Sequence, residues 1–500
     1  MDLNAESLRY ILGLKLRQMR HEQGLGLKEL SKATGMSMSY LSEIEKGRKY
    51  PKPDKILHLS QALGVSFEHL VSPKVEENLV PVRELFSSPF LQEFPFHLFG
   101  LGPESLVSLV TEVPSKAGAL LRTFFEIGRT YDVRVEHFLF AALRSYQQLH
   151  QNYFEHIESA AEAFLSGRGW LDRRTLDRDD LAAILEGEHG YEVDFEILAE
   201  YPELADLRSA WVDGEPPRVL VNPRLRRSQQ AFLLGRELGY LELGLKERST
   251  TSSPIRVQSF DQVIHDFEAA YFSGALLLRK GLLLADLERV FTLPRFEPSA
   301  LTDLLDVYDV TPETFFYRLS QLLPHALGFR RMFFVRFSYE AQSERYRLSK
   351  LLNMTRLPVP LGVEPGEHYC RLWPGPRLLA EEPGAEAGDV RVSASRSTFL
   401  ADGEEYLIFT FTRPLSLAKG VHSSVSLGFA VDDVRGKVAF LDDPTLTHRT
   451  VGITCERCPL QDCSARAAPP LIHDGDERQR RREAALTELE RRVHSDRTEP

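Results

Sequence analysis

The stretch that most restricts the fold is LGLKELSKATGMSMSYLSEIEKGRKYPKPDKILHLSQALGVSFEHL, residues 25–70, in which short helix-like runs follow one another closely. Residues 27–34 predict a helix, and Gly35 after it supplies the positive φ that a sharp turn requires. Ser37 is expected to cap the next helix, because its hydroxyl can accept a hydrogen bond from the first turn. The segment therefore predicts two short helices joined by a tight turn.

Further helices complete the predicted bundle. Leu41 and Ile44 would pack the helix after Ser37 inward, and a helix over residues 6–22 precedes the turn. Pro53 and Ser66 would each stand at the start of another helix, since proline favours a first helical turn and serine favours a cap. Residues 6–72 thus predict an all-α head.

The outward side of this head has the composition of a DNA-binding surface. Residues after Ser37 are free to reach base edges in a major groove, and the basic cluster that follows suits phosphate oxygens. Arg17 and Arg20 fall on the predicted outer side of the first helix. The residues predicted to contact DNA are Arg17, Lys28, Ser37, Met38, Ser39, Tyr40, Ser42, Glu43, Lys46, Arg48, Lys49 and Lys52.

Charge is distributed unevenly along the chain, whose net charge is -11. Residues 1–75 hold 12 Lys and Arg against 8 Asp and Glu, whereas the other residues hold 49 against 64. A basic head on an acidic body suits a DNA-reading module attached to a sensor or partner domain. No run of ~20 apolar residues exists and the first residues carry acids, so we expect a cytoplasmic protein without a membrane partner.

The head resembles the XRE/Cro-like repressors over residues 6–72. The matching positions are Leu30-Ser31, Gly35-Met36-Ser37, Tyr40-Leu41-Ser42, Ile44-Glu45-Lys46-Gly47 and Pro51. The resemblance implies a helix-turn-helix that binds double-stranded DNA as a symmetric dimer. A protein-binding bundle of the same fold is the alternative.

Residues 231–243, AFLLGRELGYLEL, have the frame of a zinc-protease helix without its ligands. The His-Glu-x-x-His motif places two histidines on one helix face with a glutamate that acts as base. Here the frame reads Arg236-Glu237-Leu238-Gly239-Tyr240. Because an arginine cannot deprotonate to become a ligand, no catalytic residue is predicted. A chance amphipathic helix is the other interpretation.

A strand, an Asn-Pro pair, this helix and a later helix with Glu-Ala-x-x-Phe follow one another along the chain. This order resembles the ImmA/IrrE-type metallopeptidase domain over residues 177–328. The resemblance implies that Arg236 and Tyr240 occupy the positions of two ligand histidines. It also places Glu237 at the position of the base and Glu268 at that of the third ligand. We expect a retained fold in which Arg236 or another nearby base pairs with Glu237 or Glu268 where zinc would lie.

The four cysteines predict a metal site. Cys455, Cys458 and Cys463 fall within nine positions, while Cys370 stands alone in the sequence. Such clustering points to a metal site rather than to a disulfide framework. The four thiolates could hold a structural zinc or a 4Fe-4S cluster, and the spacing does not separate the two. Thiols without metal are the remaining alternative.

Residues 329–472 alternate in the manner of strands and predict a mixed sheet resembling a GAF- or PAS-like sensor domain. The predicted strands are RRMFFVRFSY, RVSASRSTFL, EYLIFTFTRP, SSVSLGFAVD and GKVAFLDD. Residues 473–500 mix charges densely and predict either a short solvated helix or a disordered tail.

The segments HYCRLWP and CERCPLQDCSARAAPP, with the head and the middle region, resemble the RamB/PrpR-type regulators of short-chain fatty-acid metabolism. The resemblance implies control of acetate, propionate or glyoxylate-cycle genes. It also implies a 4Fe-4S cluster on the four cysteines and binding of coenzyme A or acyl-CoA in the C-terminal half. No residue that contacts coenzyme A is predicted.

The sequence thus predicts a multidomain α+β protein: a sequence-specific DNA-binding transcriptional regulator that is a homodimer or higher oligomer and not an enzyme. The predicted domains are a helix-turn-helix head (1–75), a helical linker or scaffold for dimerisation (76–176), a degenerate metallopeptidase-like fold (177–328), a mixed α/β sensor with the four-cysteine site (329–472) and a charged tail (473–500). The alternatives are a zinc-dependent regulatory peptidase and an antitoxin-like interaction protein.

Overall fold

A computed structural model describes residues 5–72, 98, 135–252, 257, 259–340, 342–343, 345–355, 357, 359, 367–381, 390–418 and 420–495. The chain divides into a first unit, Met1–Tyr146 with Val257–Val263, and a second unit, Gln147–Arg256 with Ile264–Pro500. Much of the predicted scaffold, residues 73–97 and 99–134, lies outside the described residues. The five-domain partition stays a prediction.

The head of the first unit is the predicted bundle of short helices. They are α1 (Ala5–Glu22), α2 (Leu27–Thr34), α3 (Met38–Glu45), α4 (Pro53–Ala62) and α5 (Phe67–Val71). Pro53 begins α4, and the hydroxyl of Ser66 caps α5 by accepting from the backbone N–H of His69. The predicted positions of these helices are confirmed.

Helices make up most of the described residues from 135 to 331. They are α6 (Val135–Leu149), α7 (Glu155–Gly167), α8 (Arg178–His189), α9 (Arg227–Glu242), α10 (Phe260–Leu277), α11 (Lys280–Phe291), α12 (Pro298–Tyr308) and α13 (Pro312–Ala326). Their boundaries follow local signals: Asp177 and Asp180 form a capping box at α8, and Gly190 ends that helix at φ 68°. None of the helices among the described residues has the length and apolarity needed to cross a membrane.

A small sheet lies beside α8. Its strands β1 (Glu192–Asp194), β2 (Ser209–Val212) and β3 (Arg218–Val221) take the order β1-β3-β2, with β1 parallel and β2 antiparallel to β3. The predicted helix-then-strand order of this region is confirmed.

The large sheet has the order β5-β4-β8-β7-β6-β9. Its strands are β4 (Met332–Glu340), β5 (Arg345–Asn353), β6 (Arg391–Phe399), β7 (Glu405–Pro414), β8 (Val421–Ala430) and β9 (Thr447–Val451). Neighbours are antiparallel except β6 and β9, so the predicted mixed sheet is confirmed. The strand predicted from GKVAFLDD is wrong: Ala439–Asp442 is a 3-10 turn, whose Phe440 packs against Phe409 of the sheet.

Each face of the large sheet packs against helical structure. On β4, Phe333 and Phe337 face a core that includes Trp373, which precedes the short helix α14 (Pro374–Ala380). The intervening Phe334 and Arg336 face α13 instead. Because successive strand residues point to opposite faces, one strand supplies both cores.

Two helices follow β8: the short α15 (Val431–Val434) and α16 (Leu471–Ser495). Residues 473–500 are expected from the sequence to form either a short solvated helix or a disordered tail, and the described residues are helical through Ser495. The helix is longer than the short one predicted, and side chains such as Leu486 and Leu489 are exposed.

One buried ion pair joins the helices of the second unit. Arg318 on α13 donates two hydrogen bonds to Glu158 on α7, at 2.6 and 2.8 Å. Tyr271 on α10 donates to the same carboxylate at 2.7 Å, and Nε of Arg318 donates to the carbonyl of Leu278. Arg318 and Glu158 are 1% and 5% exposed, so removal of one partner would leave an unpaired charge in the core.

We predict that Glu158→Gln destabilises the protein by about 3–5 kcal/mol, because Arg318 stays buried without its counter-ion. The midpoint of denaturant unfolding measures this. The control Glu192→Gln breaks a largely exposed pair with Arg218 and should cost at most about 1 kcal/mol. Equal losses in the two variants would contradict the structural weight given to the buried pair.

The carboxylate of Glu158 makes the stability of the fold depend on pH. Burial by itself would raise the pKa of Glu158, but the charge and hydrogen bonds of Arg318 outweigh it and lower the pKa. A carboxyl whose pKa is lower in the folded state stabilises fully above its unfolded pKa of about 4.3. This contribution to stability is lost as the pH falls through the lowered pKa of Glu158 in the folded state. The Glu158→Gln variant should not show this loss.

Candidate nucleic-acid interface

The turn between α2 and α3 has the geometry that the sequence predicts. Gly35 ends α2 at φ 69°, and its N–H donates to the carbonyl of Ser31. The hydroxyl of Ser37 accepts a hydrogen bond of 3.1 Å from the backbone N–H of Tyr40, which fixes the start of α3. Leu41 and Ile44 are fully buried, so the opposite side of α3 is left outward.

Helix α3 is held against α1 by contacts that the sequence reading missed. A Cβ on Gly13 of α1 would overlap the carbonyl oxygens of Ile44 and Glu45, so the two backbones lie in near contact there. Arg20 donates to both carboxylate oxygens of Glu45, at 2.6 and 2.9 Å, and to the carbonyl of Leu25. The predicted outward position of Arg20 is wrong, because this arginine is buried and anchors the end of α3 to α1.

The predicted DNA-contacting residues lie on the accessible side of the head. Met38, at the start of α3, is 51% exposed although it is apolar, and Ser42 and Glu43 are partly exposed one turn later. The exposed members of the predicted set are Lys28, Ser37, Met38, Ser39, Lys46, Arg48, Lys49 and Lys52, while Arg17, Tyr40, Ser42 and Glu43 are half-buried. The α3 surface can therefore present side chains to base edges, with lysines and an arginine following for phosphates.

Two of these residues are paired with each other in this structure. Nζ of Lys49 lies 2.9 Å from the carboxylate of Glu43 and 5.8 Å from the ring centre of Tyr40. The hydrogen bond from Lys49 lowers the pKa of Glu43, which therefore carries its charge. A phosphate contact by Lys49 must compete with this pair, so we expect Lys49 to contribute less than Lys52.

The folded head, with α3 positioned by a tight turn and its outer side exposed, defines a helix-turn-helix DNA-binding module. A family model described as "Helix-turn-helix domain" matches residues 11–72. An uncharacterised HTH-type transcriptional regulator of Sinorhizobium fredii is 39% identical over 69 residues, which cover 14% of this chain and 90% of that protein. The chain belongs to the helix-turn-helix transcriptional regulators.

Two further relatives align over nearly the whole chain. The propionyl-CoA carboxylase regulator of Cereibacter sphaeroides is 24% identical over 492 residues, covering 92% of this chain and 94% of the relative. The HTH-type transcriptional regulator RamB of Mycobacterium tuberculosis is 23% identical over 496 residues, with the same shares. This chain is similar to both along its length, as its sequence motifs predict.

The metallopeptidase-like frame lies on α9, where arginines neutralise the carboxylates. Arg236 donates to Asp266 at 2.9 Å and to the hydroxyl of Tyr240 at 3.3 Å, and Tyr240 also donates to Asp266. Arg248 pairs with Glu237, and its guanidinium lies over the rings of Trp211 and Tyr240, 4.2 and 4.4 Å from their centres. A nearby base thus pairs with Glu237, as expected.

Glu268 does not take part in this cluster. Its carboxylate lies 3.8 Å from Nε2 of His156, a mostly exposed residue. The pairing expected for Glu237 is thus made by Arg248, the other nearby base, while Arg236 itself pairs with Asp266 on α10. The sequence offered no motif for Asp266, which lies two residues before the predicted position.

The segments around Cys370 and Cys455 lie side by side. Tyr369 and Thr454 form an isolated bridge, and the N–H of Cys370 donates to Ile453 while that of Cys455 donates to His368. Burial raises the pKa of the Cys370 thiol to about 11, backbone hydrogen bonds act against this, and the nearby Cys455 and Cys458 raise it further. All four cysteines are free thiols; Cys463 is partly exposed, and the other three are buried.

Charged side chains around the thiols are largely engaged. Arg466 donates to the carbonyls of Cys455 and Cys458, at 2.9 and 3.3 Å, and thereby ties the loop together. Arg457 pairs with Glu367, while Glu456 accepts from His368. Among the residues that the structure describes, no three His, Cys, Asp or Glu side chains are arranged to hold a metal ion. The four-cysteine site stays a prediction.

We predict that Lys52→Ala weakens binding to any DNA duplex and lowers the slope of log affinity against log salt by about one, because one phosphate contact is lost. Titration at several salt concentrations measures the slope. The control Lys32→Ala removes an exposed lysine on α2 outside the predicted set and should leave the slope unchanged. A slope that Lys52→Ala does not change would remove Lys52 from the interface.

Proposed function

We propose that this chain is a cytoplasmic, sequence-specific transcriptional regulator of short-chain fatty-acid metabolism that acts as a homodimer and responds to acyl-CoA or to a 4Fe-4S cluster. The observation that carries the proposal is the exposed outer side of α3 on a chain that aligns over 92% of its length with a propionyl-CoA carboxylase regulator. Such a helix can read a half-site, and two heads would read two.

The DNA-reading part of the proposal rests on the chemistry of α3. Met38 offers an apolar contact for a thymine methyl group, and Ser39 and Ser42 can donate to or accept from base edges. Glu43 can accept from a cytosine amine once Lys49 releases it. The flanking Lys46, Arg48 and Lys52 supply sequence-independent contacts and positioning.

The cluster proposal rests on the donor set. Four free thiols are the ligands that zinc and iron–sulfur clusters require, and Cys370, Cys455 and Cys458 lie near enough to influence one another. Cys370, Cys455, Cys458 and Cys463 would hold the cluster, which would supply a group sensitive to oxidation. The chain itself contributes Arg466, which orders the loop through the carbonyls of Cys455 and Cys458.

The effector proposal is coenzyme A or an acyl-CoA in the second unit. It is supported by similarity over 92% of the chain to a regulator named for propionyl-CoA carboxylase. The effector can alter transcription only by binding two arrangements of the protein with different affinity.

We also propose that α9 belongs to a metallopeptidase-like fold that has lost its chemistry. The Arg236–Asp266 and Arg248–Glu237 pairs support this, because they place positive charge where a zinc ion would neutralise carboxylates. Arg236 cannot bind a metal, so Glu237 has no activated water to deprotonate.

We predict that the full chain, offered a pool of random duplexes, selects two inverted half-sites with centres about 10 base pairs, or a multiple of this, apart. Met38→Ala should relax the preference at one position of each half-site while keeping the salt dependence, and Lys32→Ala should change neither. Sequencing of the bound pool measures this. Selection of a single site without symmetry would exclude the dimeric arrangement.

We predict that anaerobic purification gives a brown protein with about four iron and four sulfide per chain. Cys463→Ser should lose the iron and the colour, while Ser464→Ala beside it should keep both. Iron, sulfide and zinc analyses with an absorbance spectrum measure the outcome. A colourless protein with one zinc per chain would exclude the cluster, and a protein without either metal would exclude a metal site.

A further inference from the structure

A cavity of about 150 Å³ lies in the second unit, between its helices and the large sheet. Apolar side chains of α9 and the loop before it form one wall, and charged side chains from α13, β5 and the loop before β2 form another. The residues used below are Leu225, Phe232, Leu233, Arg208, Glu313 and Lys350. The lining therefore includes both apolar and charged side chains, and we call the part formed by Arg208, Glu313 and Lys350 the charged end.

The sheet contributes an excess of cations to the charged end. The register of β4 and β5 places Arg336 directly opposite Lys350, and like charges in such pairs repel. Glu313, in the first turn of α13, lies between them, 3.0 Å from Nη1 of Arg336 and 3.7 Å from Nζ of Lys350. One carboxylate thus serves two cations.

More cations surround the same carboxylate. Burial by itself would raise the pKa of Glu313, but Arg336, Lys350, Arg208 and Arg413 lower it to about 2. Burial lowers the pKa of Arg413 to about 10, and Arg208 and Arg336 lower it as well. Arg413 lies two residues after Phe411 on β7, and Phe411 packs against Phe316 of α13, so Arg413 shares the face that carries the cavity.

Hydrogen-bonding capacity is left over at this end. Nη1 of Arg413 and Nε of Arg336 are buried and have no hydrogen-bond partner among the described residues. Arg413 is only 5% exposed, so water does not compensate its charge freely. A buried cation without an anion is costly, and Arg318, which lines the cavity, is by contrast paired with Glu158 through two hydrogen bonds.

We propose that this cavity binds a short-chain carboxylate, a ligand other than the coenzyme A and the cluster proposed above. The carboxylate lies at the charged end, near Arg208 and Lys350, where it balances the excess of cations. The alkyl chain packs against Leu225, Phe232 and Leu233. A cavity of about 150 Å³ accommodates a molecule of roughly benzene size, which matches a carboxylate of four to five carbons and excludes coenzyme A.

Calorimetric titration of the full chain with butyrate tests the proposal, with inorganic phosphate and coenzyme A as parallel probes. We expect saturable butyrate binding at one site per chain in the second unit, and butyrate should raise the melting temperature. Phosphate should bind more weakly, because it leaves the apolar wall uncovered. Neither DNA nor a reconstituted cluster is needed, so the result is independent of the regulator proposal.

Variants that remove a positive or a negative charge from the cavity lining locate the site. Arg208→Gln and Lys350→Gln should each weaken butyrate binding about tenfold, because each removes a charged partner of the carboxylate. Glu313→Gln should strengthen it several-fold, because it removes the carboxylate that lies between Arg336 and Lys350. The control Arg449→Gln removes an exposed arginine of β9 away from the cavity and should leave binding unchanged. Lys350 is partly exposed, so its variant tests the site even where a buried substitution impairs folding.

Three binding results overturn the proposal: no saturable butyrate binding, phosphate binding as tight as butyrate binding, and binding of coenzyme A alone. Two variant results overturn it as well. The first is a Glu313→Gln variant that binds butyrate no more tightly than the parent chain. The second is equal weakening by Arg208→Gln and Arg449→Gln, because the effect is then one of net charge.

Discussion

Two buried arginines, each with a carboxylate beside it, hold helices together, one in each unit of the chain. In the head, Arg20 holds α3 against α1 through Glu45, so the orientation of the DNA-reading helix depends on one buried pair. In the second unit, Arg318 joins three helices through Glu158. Loss of either carboxylate leaves a charge that neither water nor protein compensates.

A buried arginine also meets a carboxylate in the frame on α9. Where a zinc-protease helix would direct two histidines to a metal, Arg236 occupies the first position and Asp266 neutralises it. Burial raises the pKa of Tyr240, which therefore stays protonated and donates to the same carboxylate. Arginine and tyrosine side chains of the protein itself thus neutralise and hydrogen-bond the carboxylate of this cluster.

The cavity near Glu313 departs from this pairing of charges. Its cations come from two layers: Arg208 belongs to the layer of the helices and the small sheet, in the loop before β2, while Arg336, Lys350 and Arg413 belong to the large sheet. An anion bound there would attract both layers and stabilise their packing through binding energy. A site of this kind links ligand binding to the interface between the helices and the sheet, and a regulator needs such a link if a ligand is to change its conformation.

The sequence by itself determined the helices of the head, the turn at Gly35 and the central strands of the sheet, because their signals are local: a cap, a positive φ, an apolar period. It missed the edge strands β5 and β9, which are polar and half-exposed. Only the tertiary structure decided which charges pair. Arg20 follows Leu16 by one turn, yet its partner lies 25 residues away, and Asp266 lies 30 residues from Arg236. Such pairs depend on how the elements pack, and no local pattern carries that information.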